Sequence, residues 1–184
     1  MPEESELYKT ITGGNILTYK TDKILIFMSK IQAQLLYQYN DHIFIVGKFY
    51  IAPKSAYQII TIRVHYIIED RFYKVAYGIL VNKELATYVE FFENIKSYIY
   101  ENRENKHSNV ERLPKRIHNY YELALVGAIK QSFPNNEIKL CLWHFFRNLE
   151  INGKKIYGSL DNQNQESLNI LKSIKFYVIL IHNL

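Results

Sequence analysis

One cysteine in 184 residues, Cys141, excludes an intramolecular disulfide and a Cys-rich zinc module, and it fits a reducing compartment. No long apolar run is present. The longest late one, Phe176 to Ile181, spans six residues, whereas crossing a bilayer takes about 20. The first ten residues, MPEESELYKT, are acidic and polar and lack the basic start and apolar core of a signal peptide. Neither sign of charge dominates: 23 basic residues face 18 acidic ones, a net +5, which permits a nucleic-acid partner without demanding one. The expectation is a soluble, intracellular protein with no membrane partner. With 48% hydrophobic residues the chain is long enough for one well-buried core and too short for two ordinary domains.

What is present is a succession of β-branched and aromatic runs. Ile43 to Tyr50 and Tyr57 to Tyr66 flank a break carrying Pro53, Lys54 and Ser55, and Phe72 to Val81 follows closely, so three antiparallel strands are predicted. Before them, residues 1–23 read as a tail or a partial first element, Lys23 to Met28 as a short strand, and Ser29 to Tyr39 as a helix carrying Ile31, Leu35 and Leu36. After them, Asn82 is placed to cap a helix in which Leu85, Tyr88, Val89, Phe92, Ile95 and Ile99 form an apolar stripe. Residues 101–115 are charged and reach a proline, which predicts an exposed loop. Arg116 to Tyr120 reads as a strand, and Tyr121 to Ser132 as a helix with Leu125, Val126, Ile129 and Phe133 inward. Glu137 to Leu142 alternates as a strand, Trp143 opens a further helix, and Gly158 to Ser167 is a polar linker to an apolar C-terminal segment. The core order βββαβαβα in a mixed α/β sheet is that of a ribonuclease H-like domain; on topology alone this is an analogy. The domain is expected over residues 24–158, followed by residues 159–184.

Local strings make the analogy more specific. Val46-Gly47-Lys48-Phe49, then Ala52-Pro53, Tyr57-Gln58 and Thr61-Ile62, resembles the first two strands of the Mutator-like (MULE) transposase domain, which carries Asp-Gly-Thr-Phe, a proline turn and a Tyr-Gln-Leu strand. Residues 77–88, YGILVNKELATY, are similar to its third strand and Leu-Pro-Asn-Lys helix start. Tyr120-Tyr121-Glu122-Leu123-Ala124 with Phe133-Pro134 resembles its Thr-Asp-Phe-Glu helix and Phe-Pro stop, and Cys141-Leu142-Trp143-His144-Phe145 its Cys-x-x-His-Phe segment.

The resemblance implies DNA transposition by two-metal strand cleavage and transfer, in which carboxylates hold two Mg²⁺ ions. It also implies a nuclear location and DNA as the partner, with self-association left open. The matching carboxylate positions hold Val46 and Tyr120 here, and the resemblance puts the third beyond Leu184. An alkyl group offers no ligand, and a phenol with a pKa of about 10 is neutral at physiological pH. The expectation is therefore a copy without catalysis and without a cofactor, or a binding module for DNA or protein derived from such an enzyme. Asp41 lies about 16 Å from Val46 along an extended strand and cannot substitute. Glu122, two residues past Tyr120, is the nearest catalytic candidate, but one carboxylate cannot build a two-metal site, and helix-start stabilisation by the dipole is the plainer role.

Cys141 and His144 supply two metal ligands where a closed zinc site needs four, with His118 a distant third; packing is the preferred reading. Arg112, Lys115, Arg116, Lys154 and Lys155, with Arg63 nearby, are the candidate DNA contacts, against the alternative of simple solvation. The first 23 residues hold no cysteine or histidine, so no zinc-binding recognition module forms there. The 16 tyrosines and 10 phenylalanines fall at core periods and are read as packing rather than base stacking.

Overall fold

Residues 8–11, 13–48, 51–103, 113–120, 122–141 and 144–145 are described by the computed structural model. Two compact units divide the chain, Met1–Lys139 and Leu140–Leu184. Among the described residues the β-branched runs become strands of a mixed sheet: β1 Leu17–Lys20, β2 Ile24–Phe27, β3 His42–Lys48, β4 Gln58–Tyr66, β5 Arg71–Leu80, β6 Arg116–Asn119 and β7 Glu137–Leu140. The helices are α1 Lys30–Gln38, α2 Leu85–Asn102 and α3 Leu123–Ser132. This is a mixed α/β architecture.

The strands lie side by side in the order β1-β2-β5-β4-β3-β6-β7. Antiparallel pairing joins β1 to β2, β2 to β5, β5 to β4 and β4 to β3. The direction changes once these are laid down, because β6 pairs with β3 in parallel, matching Ile43 with Ile117 and Ile45 with Asn119. β7 starts beside the start of β6, where the Glu137 N–H donates to the Lys115 carbonyl at 2.8 Å. The β4–β5 connection closes through Asp70 at φ 49°, a left-handed position that a short polar side chain tolerates.

Alternation along the strands gives the sheet two unlike faces. Ile43, Ile45, Ile60, Ile62, Val64 and Ile117 form one of them and are all buried. α2 contributes Tyr88, Phe91, Phe92 and Ile95 to the same core, and α3 contributes Leu125, Ala128 and Ile129. The Phe92 ring meets Phe91 and Phe133 edge-on at 5.3 and 5.6 Å. Gly78 lets α2 approach the sheet, since a Cβ there would lie 2.5 Å from Phe91 Cε2 and 2.7 Å from Ile60 Cγ2.

Helix phases differ in detail from the predicted stripes. Ser29 and Gln32 form a reciprocal capping box on α1, which buries Ala33 and Leu36. Ile31, two residues and about 200° from Ala33, is 68% exposed instead of inward. On α2, Leu85 is largely exposed while the unpredicted Phe91 is fully buried. Asn82 lies ahead of this helix, accepting the Glu84 N–H, and Glu84 takes the cap position without a side-chain bond. The strand expected to run to Tyr120 stops at Asn119, and α3 opens at Leu123. Residues 146–184, with the expected linker and apolar segment, lie outside the described residues. No helix among the described residues is long and apolar enough to cross a membrane.

Candidate functional site

Where β3 ends, β4 begins and β6 has just ended, three polar side chains meet in the core. Gln58, the first residue of β4, is fully buried. Its Nε2 donates to Tyr88 Oη at 2.5 Å, and its Oε1 accepts from Tyr120 Oη at 3.0 Å. The two phenol oxygens lie 3.4 Å apart. Tyr88 comes from the first turn of α2, and Tyr120 from the segment linking β6 to α3. One amide thus bridges two phenols, and three otherwise costly buried groups satisfy one another.

Gly47 makes room for this arrangement. A Cβ at that position would fall 2.6 Å from Tyr120 Oη and 2.7 Å from Cζ, so the ring lies against bare backbone of β3. Val46, its neighbour, pairs with Thr61, whose hydroxyl donates to the Val46 carbonyl at 3.2 Å. Glu122 is the N-cap of α3, its Oε1 accepting the Ala124 N–H at 3.3 Å, so the helix-start role expected for it takes the form of a cap. Asp41 sits at the opposite end of β3, ion-paired with Lys115 at 3.3 Å.

The electrostatics of the cluster favour neutrality. Burial pushes the Tyr120 phenol up to about 12, with Glu122 and Tyr57 adding to the effect and the hydrogen bond with Tyr88 opposing it. Burial also raises Tyr88, helped by the neighbouring Tyr120 and Glu122. The unfolded chain ionises its tyrosines at about 10, so above that pH it binds fewer protons than the folded chain. The stability the Tyr120 phenol contributes is full below about pH 10 and is lost as pH rises through about 12. Urea unfolding followed at pH 8 to 11 should show a falling midpoint only above about pH 10, and Tyr120→Phe should flatten that fall by about 1.4 kcal/mol per pH unit. An unchanged slope in Tyr120→Phe would mean that this phenol is not held neutral.

The other described residues of the predicted set do not gather at this cluster. Arg112, Lys154 and Lys155 lie outside the described residues. Lys115 is 75% exposed at the start of β6, while Arg116 bonds Glu137 through Nε at 2.7 Å and shares a sheet face with Arg63. In the second unit, the Phe145 N–H donates to the Cys141 carbonyl at 3.0 Å, closing one helical turn around the C-x-x-H step. His118 packs on His42, 3.2 Å from Nε2 to Nδ1, and burial followed by the His42, Lys139 and Arg116 charges lowers its pKa. Among the described residues no group of three or more His, Cys, Asp or Glu side chains gathers as a metal-ligand set.

Sequence reasoning located Val46 and Tyr120 but missed the partners of the phenol. Tyr88 was read as one member of a core stripe, and nothing in periodicity marks Gln58 as buried. No protein-family model matches the chain, and no curated protein matches its sequence.

Proposed function

We propose that this chain is a ribonuclease H-like domain of MULE transposase descent whose metal site is replaced by a neutral, hydrogen-bonded plug, leaving a non-catalytic scaffold. In this reading β3, β4 and β5 are the three antiparallel strands, and β6 and β7 the two that follow, with α2 and α3 in the intervening connections. One observation carries it. The end of β3 and the residue after β6 converge, so that Tyr120 Oη occupies the space beside Gly47. Two-metal chemistry needs carboxylates from separate strands at such a convergence.

The residues present do not fit a Mg²⁺ pair. The Val46 side chain has no donor atom, and the Tyr120 phenol stays protonated at physiological pH. Glu122 is engaged in capping α3. No step is therefore assigned to a metal, and the retained role is binding, with DNA as partner and the nucleus as location following from the proposed descent. Incubation of the full chain with duplex DNA and Mg²⁺ or Mn²⁺ should give no cleavage above a metal-free control. Metal-dependent cleavage that Glu122→Gln abolishes would overturn the proposal.

A further inference from the structure

The sheet face opposite the helices carries a row of rings and cations that the core does not use. Cross-strand register fixes its membership. Phe44 on β3 pairs with His118 on β6 and with Arg63 on β4, and Arg63 pairs with Lys74 on β5. One step along, His42 pairs with Arg116, and His65 with Phe72. The rings touch in sequence across four strands. His118 stacks on Phe44 at 4.3 Å and 13°, Phe44 meets Phe72 edge-on at 4.9 Å, and Phe72 stacks on His65 at 4.8 Å. Phe72 is 53% exposed, although a core position would bury it.

A hydrogen-bonded chain links Arg116, His42 and His118 on this face. Arg116 Nη1, which can only donate, lies 3.2 Å from His42 Nε2, so that nitrogen accepts. His42 then carries its proton on Nδ1 and donates it to His118 Nε2. Around the rings stand Arg63, Lys74, Arg116 and Lys139, opposed by Glu137 and by Asp70 at the rim, so cations outnumber carboxylates.

We infer that this face binds single-stranded nucleic acid, bases stacking against the exposed Phe72 ring, which Phe44 and His118 buttress, while phosphates meet Arg63, Lys74 and Arg116. Aromatic rings interleaved with cations on a sheet face that no described helix covers suit that ligand, because every base has a π-face and every linkage a negative charge. A duplex keeps its bases stacked internally and offers them no ring contact. The inference rests on this face alone and is independent of the proposed descent, so the cleavage assay and the binding assay fail separately.

The test is fluorescence anisotropy of the full chain with labelled oligothymidylate and oligouridylate of about 12 nucleotides, at about 50 and 200 mM salt. Saturable, salt-dependent binding is expected, with a duplex of equal length a poor competitor. Phe72→Ala removes an exposed ring and should weaken binding about tenfold without changing the salt dependence. Lys74→Gln should lower the slope of log affinity against log salt by about 0.7. Lys130→Gln, the same charge change on an exposed position of α3, should leave both unchanged. Absence of binding at the lower salt, equal competition by duplex, full affinity in Phe72→Ala, or equal weakening by Lys130→Gln would each overturn the inference.

Discussion

Replacing Gln58 by leucine should cost the folded chain about 2–4 kcal/mol, although the two side chains are close in volume. The reason lies in what is left behind. Gln58 is fully buried and is the shared partner of Tyr88 and Tyr120, so its loss removes one hydrogen bond from each of two buried phenol hydroxyls. A buried polar group that loses its partner costs about 1–3 kcal/mol. The hydroxyls are 3.4 Å apart and can recover part of one bond, which sets the lower end of the range. In urea unfolding the midpoint should drop at unchanged slope, since the surface exposed on unfolding is the same. Adding Tyr88→Phe and Tyr120→Phe should recover part of the loss, because the phenols that lose the amide are then removed with it. A Gln58→Leu chain as stable as the parent would mean that the amide does not bridge the phenols.

Gly47→Ala should destabilise by about 1–3 kcal/mol, against the usual gain when glycine in a strand is replaced. The added methyl would fall 2.6, 2.7 and 2.8 Å from three atoms of the Tyr120 ring and hydroxyl. The ring cannot shift freely, because its hydroxyl is bonded to Gln58 and its body is 6% exposed. For a chain of this size each kcal/mol should appear as about 2–4 °C in the melting temperature. Combining the change with Tyr120→Ala is the discriminating experiment. In that background Gly47→Ala should become neutral or stabilising, giving a coupling of about 1–3 kcal/mol between the two positions. Equal losses in both backgrounds would place the clash elsewhere.

The strands were legible because β-branched runs separated by turn residues leave few other structures for β3, β4 and β5. Helix existence was equally plain, but helix phase was not. Spacings of three and four fit several adjacent choices, so Leu85 was placed inward and Phe91 passed over, and Ile31 was assigned a face that the Ser29 capping box turns outward. The site was half legible. Local strings singled out Val46 and Tyr120, whereas the hydrogen bonds around the Tyr120 phenol join residues 30 and 62 apart in sequence. No local pattern encodes those. The exposure of Phe72 was not legible for a related reason: alternation assigns Phe44 and Phe72 to one side of the sheet without saying which side the helices cover.

A neutral plug in place of a carboxylate pair is tested most directly by divalent-ion binding to the full chain. Titration calorimetry with Mg²⁺, repeated by Mn²⁺ paramagnetic resonance, should show no saturable site at millimolar metal, in the parent and in Glu122→Gln alike. Stoichiometric uptake of two ions, lost when Glu122 is changed to glutamine, would contradict the assignment of Tyr120, Gln58 and Tyr88 as a sealed, uncharged replacement.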